Sequence, residues 1–283
     1  MRIERGSVAI VTGAASGIGL ALSRALMQRG VHVVMGDIDG GAAADEASAL
    51  GAGCMGVQCD VADPAAVARL TDAAVATHGQ IDLLINNAGV GGVLGPAWDS
   101  HPHDWRWVMD VNVMGVVHGV QSVLPHMLRR GRGHVVNLSS MAGLATPPFM
   151  SPYAASKHAV IGLSESLAAE LAIIGADIGV SVVCPGVVES RIKDSDRNRP
   201  ASLRHDKVGP PEMIARIRAE FDRITADPMK ADEAAETILS GVEAGRLHIL
   251  THPHDRAAVL ARFAQIERSL DGTPGGGLAD GRS

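Results

Sequence analysis

Apolar residues fall in short runs along the chain, separated by longer stretches whose apolar positions recur every three or four residues. Residues 8–11 (Val8, Ala9, Ile10, Val11) form the first run, and others follow at 32–36, 53–58, 81–86, 134–138, 179–184 and 247–250. Runs of this length, rich in valine and isoleucine, are expected of strands buried on both faces. The stretches between them read as helices. Leu20, Leu22, Ala25 and Leu26 share a helical face, as do Met213, Ile217, Phe221 and Ile224 after Pro210 and Pro211. Further helices are expected over about 102–130, 152–174, 231–244 and 253–270. Strand and helix alternate throughout, which predicts an α/β fold with one doubly wound parallel sheet of about seven strands and helices on both faces. The pattern breaks at 190–227, a charged stretch followed by a one-sided helix, which reads as a lid over a pocket. Residues 1–270 are expected to form one domain. The segment 271–283, with five glycines and a proline, is expected to be a disordered tail.

Ligands of such sheets bind at the carboxyl ends of the strands. Unusual residues collect there. Thr12, Gly13, Ala14, Ala15, Ser16, Gly17, Ile18 and Gly19 join the first strand to the first helix. Glycines at this turn let the backbone approach a pyrophosphate, and the helix start offers free amides and a positive dipole end. Asp37 ends the second strand, about twenty residues on, where a carboxylate holds the ribose hydroxyls of a dinucleotide. These features are Rossmann-like. Asp60, Asn87, Ser140 and Pro185 each follow a later predicted strand.

The only tyrosine, Tyr153, stands four residues before Lys157, one of four lysines. On a helix these two share a face. A nearby ammonium favours a phenolate, so the pair is expected to pull the phenol toward useful acid and base behaviour. That is a proton-transfer device for an alcohol or a carbonyl.

Residues 12–19, the run Asn86, Asn87, Ala88, Gly89, then Ser140, and finally Tyr153, Ala154, Ala155, Ser156, Lys157 resemble the short-chain dehydrogenase/reductase family, in order, from about residue 5 to about residue 250. The resemblance implies Tyr153 as the acid/base, Lys157 as the residue that tunes it and holds the nicotinamide ribose, and Ser140 as the hydroxyl holding the substrate oxygen. It also implies Asn112 as the fourth member, anchoring a proton-relay water. Ser139 is the rival serine, but the family spacing points to Ser140. Implied cofactor contacts are Gly13, Ser16, Gly17, Ile18, Gly19, Asp37, Asp60, Val61, Asn87, Ala88, Gly89, Tyr153, Lys157, Pro185, Gly186, Val188 and Ser190. The carboxylate of Asp37 would repel the 2′-phosphate of NADP, and no basic side chain lies in the glycine loop, so the expected cofactor is NAD.

Length, charge and cysteines fit this reading. A chain of 283 residues with 46% hydrophobic content can build one large core. Net charge of −6 without a basic face argues against a nucleic-acid partner. No run of about eighteen apolar residues suggests a membrane, and residues 1–7 run straight into the first strand, so no secretory signal is expected. Three cysteines, Cys54, Cys59 and Cys184, without metal-ligand spacing, suggest reduced thiols in a cytoplasm. His248, His252 and His254 lack a companion ligand set, so no metal is expected. The partner is expected to be a small molecule. Candidate pocket residues Met141, Ala142, Leu144, Phe149, Met150, Val187, Met213 and Phe221 suit an apolar alicyclic, terpenoid or steroid-like secondary alcohol or ketone. Arg191 and Arg197 leave an acidic substrate open. Epimerisation or dehydration on the same fold, and dinucleotide sensing without turnover, are the rival readings. Resemblance further implies a homodimer or homotetramer paired through the helices at 102–130 and 152–174.

Overall fold

A computed structural model describes residues 3–206, 209–252 and 256–271. The seven expected strands form: β1 (Val8–Thr12), β2 (His32–Asp37), β3 (Cys54–Gln58), β4 (Leu83–Asn86), β5 (Gly133–Leu138), β6 (Ile178–Cys184) and β7 (His248–Leu250). They make one parallel sheet in the order β3-β2-β1-β4-β5-β6-β7. The helices are α1 (Gly17–Gln28), α2 (Gly40–Leu50), α3 (Pro64–His78), α4 (Pro102–Met109), α5 (Gly115–Arg130), α6 (Ser151–Ile173), α7 (Pro211–Ile224), α8 (Ala231–Glu243) and α9 (Arg256–Asp271).

Because successive strand residues face opposite ways, each run feeds two cores. Ala9, Val11, Val33 and Met35 pack with Leu22 and Leu26 of α1 and Ile238 and Leu239 of α8. Ile10, Val34, Leu84 and Val135 pack on the other face with Leu70 of α3, Val123 and Met127 of α5 and Leu167 of α6. Chain order reverses between β1 and β4, which opens the crevice in which a doubly wound sheet binds its ligand.

The expected helix over 102–130 is broken. Between α4 and α5, Asp110–Met114 forms a wider π turn. A single π turn shifts the apolar register by only about one residue, too little over five positions to mark the break in the sequence pattern. Such turns re-aim a side chain, here Asn112. In the charged stretch after β6, 3-10 turns cover Ile192–Asn198 and Ala201–Leu203, and Ser195 and Arg199 are buried. Val188 and Met229 pair as an isolated bridge, so 189–228 leaves and rejoins the body at one neck. Residues 253–255, the expected start of the last helix, and 272–283, within the expected tail, lie outside the described residues. No helix among the described residues is long and apolar enough to cross a membrane.

One core histidine makes the fold acid-sensitive. His134 is 1% exposed, its Nε2 is 2.9 Å from Ser181 Oγ, and Ser181 in turn donates to the Arg246 carbonyl. Gly179 makes room for the ring, since a Cβ there would come within 2.2 Å of His134 Nδ1. Burial holds the imidazole down at about 4, against an ordinary 6.5. The unfolded chain therefore takes up this proton first, and stability falls as pH drops from 6.5 toward 4. About 2 kcal/mol should be lost between pH 7 and pH 5 from this group alone. Urea unfolding should show that the part is absent from His134→Leu; equal acid sensitivity in both proteins would contradict it.

Candidate active site

The crevice at the carboxyl ends of β1, β2, β4, β5 and β6 holds a cavity of about 1050 Å³. Its walls include Gly13, Ser16, Gly17, Ile18, Asp37, Asp60, Val61, Asn87, Ala88, Gly89, Ser140, Tyr153, Lys157, Pro185, Gly186, Val188 and Ser190. Nearly every catalytic or cofactor-binding residue expected from the sequence is thus brought to one space. Gly19 and Asn112 are the exceptions, and both stand behind the lining.

The glycine loop is shaped by close approaches. Gly13 (φ 62°) and Gly17 (φ 54°) adopt left-handed backbone, and a Cβ on Gly17 would lie 2.9 Å from Ser190 Cβ. A Cβ on Gly19 would lie 2.2 Å from the Gly13 carbonyl oxygen. Ser16 is the N-cap of α1, but its hydroxyl makes no capping bond and no acidic residue follows in the first turn. This helix start is therefore left with amides suited to an anion. Thr12 Oγ1 accepts from the amides of Asn87 and Ala88, while Asn87 Nδ2 donates to the carbonyls of Thr12 and Gly13 at 2.8 and 3.0 Å. The loops after β1 and β4 are locked together by these bonds. At the end of β2, the Asp37 carboxylate accepts from the amides of Ala15 and Asp39, which fixes its aim.

The opposite wall carries Ser140, Tyr153 and Lys157. Ser140 Oγ accepts from the Ala142 amide at 3.1 Å, donates to the Pro185 carbonyl at 3.4 Å, and lies close enough to the Tyr153 phenol to favour its ionised form. Lys157 is 3% exposed and its Nζ donates to the Leu138 carbonyl at 3.0 Å, lying 5.5 Å from the Tyr153 ring centroid. The expectation that this charge draws the phenol down is corrected. Burial dominates and lifts the Tyr153 phenol above its ordinary value, against a smaller lowering by the Ser140 bond. Burial also pulls the Lys157 ammonium down to about 8, with Cys184 acting the other way. Ser139, the rival serine, donates to the Lys157 carbonyl and braces α6.

Asn112, aimed by the π turn, is 1% exposed. Its Oδ1 accepts from the Val90 amide at 2.8 Å, and its Nδ2 donates to the Val90 carbonyl and to Ser156 Oγ, each at 3.0 Å. Ser156 donates to the Tyr153 carbonyl at 2.7 Å. A polar chain therefore runs from the wall after β4 to the helix turn carrying the phenol.

Several contributors were not evident from the sequence. His252 is buried, accepts from the Gly186 amide at Nδ1, and holds the Val187 carbonyl at Nε2, so it fixes the turn after β6 rather than joining a metal set. His254, considered with it, lies outside the described residues. Trp107 and Leu94 also line the cavity. Of the expected apolar lining, Met141, Ala142, Met150, Val187 and Phe221 are present. Leu144 is instead buried in the core beside Val160, and Phe149 and Met213 fall outside the cavity. Phe149 sits at φ 62°, an uncommon conformation for a bulky residue, and its carbonyl accepts from the Gly95 amide.

Comparison with known proteins adds to this geometry. The model of the family described as short chain dehydrogenase matches residues 7–201. A CLA biosynthesis dehydrogenase/reductase of Lactiplantibacillus plantarum is 31% identical, covering 99% of both chains. A 1-deoxy-11-beta-hydroxypentalenate dehydrogenase of Streptomyces avermitilis is 36% identical, covering 93% of this chain and 91% of that one. A short chain dehydrogenase/reductase from Burkholderia phymatum, solved in complex with NAD, superposes with a TM-score of 0.90 at 40% identity, over 95% of this chain and 97% of that one. With the sheet, the glycine loop and the grouping of Ser140, Tyr153 and Lys157 in one crevice, these matches establish that the chain belongs to the short chain dehydrogenase family.

Proposed function

We propose that this protein is an NAD-dependent oxidoreductase that interconverts a secondary alcohol and a ketone on an apolar alicyclic, terpenoid or steroid-like body. The observation that carries the reading is the single cavity in which a glycine-loop cradle and Asp37 face the Ser140, Tyr153 and Lys157 group. The fit to NAD is supported by the glycine loop that lines the cavity at Gly13 and Gly17, by the start of α1, whose amides no side chain caps, and by the NAD complex of the Burkholderia relative. In this reading Asp37 holds ribose hydroxyls, Asp60 and Val61 flank the adenine, and Pro185, Gly186, Val188 and Ser190 border the nicotinamide.

NAD, when bound, supplies the hydride acceptor for alcohol oxidation. Ser140 orients the substrate oxygen and Tyr153 takes its proton at the phenolic oxygen. Lys157 steadies the ribose side, and Asn112 with Ser156 fixes the turn bearing Tyr153. The apolar lining from Met141, Met150, Val187 and Phe221 suits a hydrophobic body, in keeping with the hydroxypentalenate in one relative's name.

Cofactor choice gives a direct test. Asp37 lines the cavity and neither Ile38 nor Asp39 after it is basic, so a 2′-phosphate would meet the Asp37 carboxylate with no cation beside it. Turnover with NAD should exceed that with NADP by about a hundredfold at equal concentration, and Asp37→Ala should narrow the gap at least tenfold. Faster turnover with NADP in the unaltered protein would refute the assignment. Pairing into a homodimer or homotetramer is part of the proposal, since α6 exposes the small residues Ala155, Gly162, Ser166 and Ala169 toward close packing. Light scattering should give a multiple of the 29.3 kDa chain mass, and a monomer would remove this part.

A further inference from the structure

Residues 191–199 cross the cleft. Ser190 lies against Gly17 at the α1 start, and Ser195 Oγ accepts from the Gly91 amide at 3.1 Å, beyond the end of β4. Asn198 then borders a groove with Ile38, Asp39 and Gln58, at the ends of β2 and β3. The segment therefore spans the crevice from the glycine loop to the Asp37 end, and Arg191, Ile192, Lys193, Ser195, Arg197 and Asn198 all line the cavity.

Most of this strap has little to hold it by packing, since Arg191, Lys193, Asp194, Asp196 and Arg197 are exposed. Its far end is different. Arg199, 6% exposed, pairs with Asp104, 4% exposed, at the start of α4. The guanidinium also lies 4.9 Å over the Trp107 ring, one turn further along α4. His205 Nε2 reaches the same Asp104 carboxylate at 3.0 Å, and Leu203 packs beside the Val90, Trp107 and Val108 cluster. The other Asp104 oxygen accepts from the His101 amide at 3.1 Å, which ties the carboxylate to the start of α4. A buried ion pair is specific in geometry and holds only when both members are present, because either one left alone is an uncompensated buried charge.

We propose that Asp104 and Arg199 form a latch that keeps the 191–199 strap closed over the dinucleotide, so that opening of this pair limits dinucleotide exchange. Both are positioning residues: neither touches the reacting atoms, and their effect reaches the cavity through the strap. The inference rests on the proposed use of NAD. Its basis is the pairing of one strap residue with an element ninety-five positions away in sequence, a second anchor besides the neck at Val188 and Met229.

The test compares the whole protein with Arg199→Met, Asp104→Asn and the double variant carrying both. NADH dissociation is followed by stopped-flow fluorescence, and folding by thermal melting. Each single variant should release NADH about tenfold faster or more. The double variant has no unpaired buried charge, so its melting should recover toward the unaltered protein while its release stays fast. That separation is what a merely structural role would not produce. Release within twofold of the unaltered protein in the folded double variant would overturn the latch, whatever the single variants do. Hydrogen exchange gives a second reading that needs no ligand: amides of 191–206 and of Gly91 should exchange faster in the double variant, and unchanged exchange would also overturn it. If the unaltered protein failed to bind NADH at all, the functional assignment would fall, while the exchange comparison would still decide the latch.

Discussion

Replacing Tyr153 with phenylalanine should lower alcohol oxidation by about a thousandfold or more, while leaving NADH affinity nearly unchanged. The hydroxyl is the one group in the cavity placed both to bond Ser140 and to take a proton from a substrate oxygen, whereas the ring alone suffices to fill the wall. The same residue fixes the pH profile. Burial keeps the phenol above its ordinary value, so at neutral pH only a small fraction is ionised. Oxidation needs the ionised form and should climb with pH through the neutral and mildly alkaline range. Ketone reduction uses the protonated form and should hold its rate over the neutral range. Steady-state rates in both directions would check this, and a Tyr153→Phe protein that still oxidises alcohols would remove Tyr153 from the mechanism.

A second large effect is expected at Lys157, with opposite signs for function and stability. The ammonium is almost fully buried and pulled from 10.5 down to about 8, so below pH 8 the folded state carries a charge it disfavours. By linkage this costs about 3 kcal/mol at pH 7 and fades as pH rises from 8 to 10.5, where the unfolded chain also loses its proton. Lys157→Met should weaken NADH binding at least about tenfold, and lower turnover with it, because Lys157 is read as steadying the ribose side. Its unfolding free energy at pH 7 should nevertheless hold or rise, since the lost bond to Leu138 O offsets only part of the relieved burial. The stability difference between variant and unaltered protein should shrink toward pH 10. Urea unfolding at the two pH values measures it. A variant several kcal/mol less stable at pH 7 would mean that the lysine is chiefly structural.

The sheet was legible because its evidence is local. A parallel strand covered on both faces is mostly apolar, so 8–11, 81–86 and 134–138 announce themselves despite Asp82, Asn86, His134 and Asn137, without help from distant residues. The dinucleotide crevice followed, since glycines at a strand-to-helix turn and an acid at the next strand end have few other uses. Tertiary pairings were hidden. Nothing near Asp104 in sequence points to Arg199, and a segment as charged as 191–207 reads as solvated although Ser195 and Arg199 are buried. The role of His252 was hidden because its partners, Gly186 and Val187, are brought to it only by β6 and β7 lying side by side. The sign of the Tyr153 shift was missed for a related reason: spacing gives proximity to a charge, while burial, which dominates here, is a property of the assembled cleft.

The central claim is that this cleft moves a hydride between a carbinol carbon and NAD. Its most direct test supplies the purified protein with NAD and a panel of apolar secondary alcohols deuterated at the carbinol carbon, and weighs the dinucleotide by mass spectrometry. The account predicts reduced dinucleotide carrying one deuterium, formed in step with ketone and absent with Tyr153→Phe. Tight NADH binding with no reduced dinucleotide from any alcohol, or altered alcohol without net reduction, would contradict it.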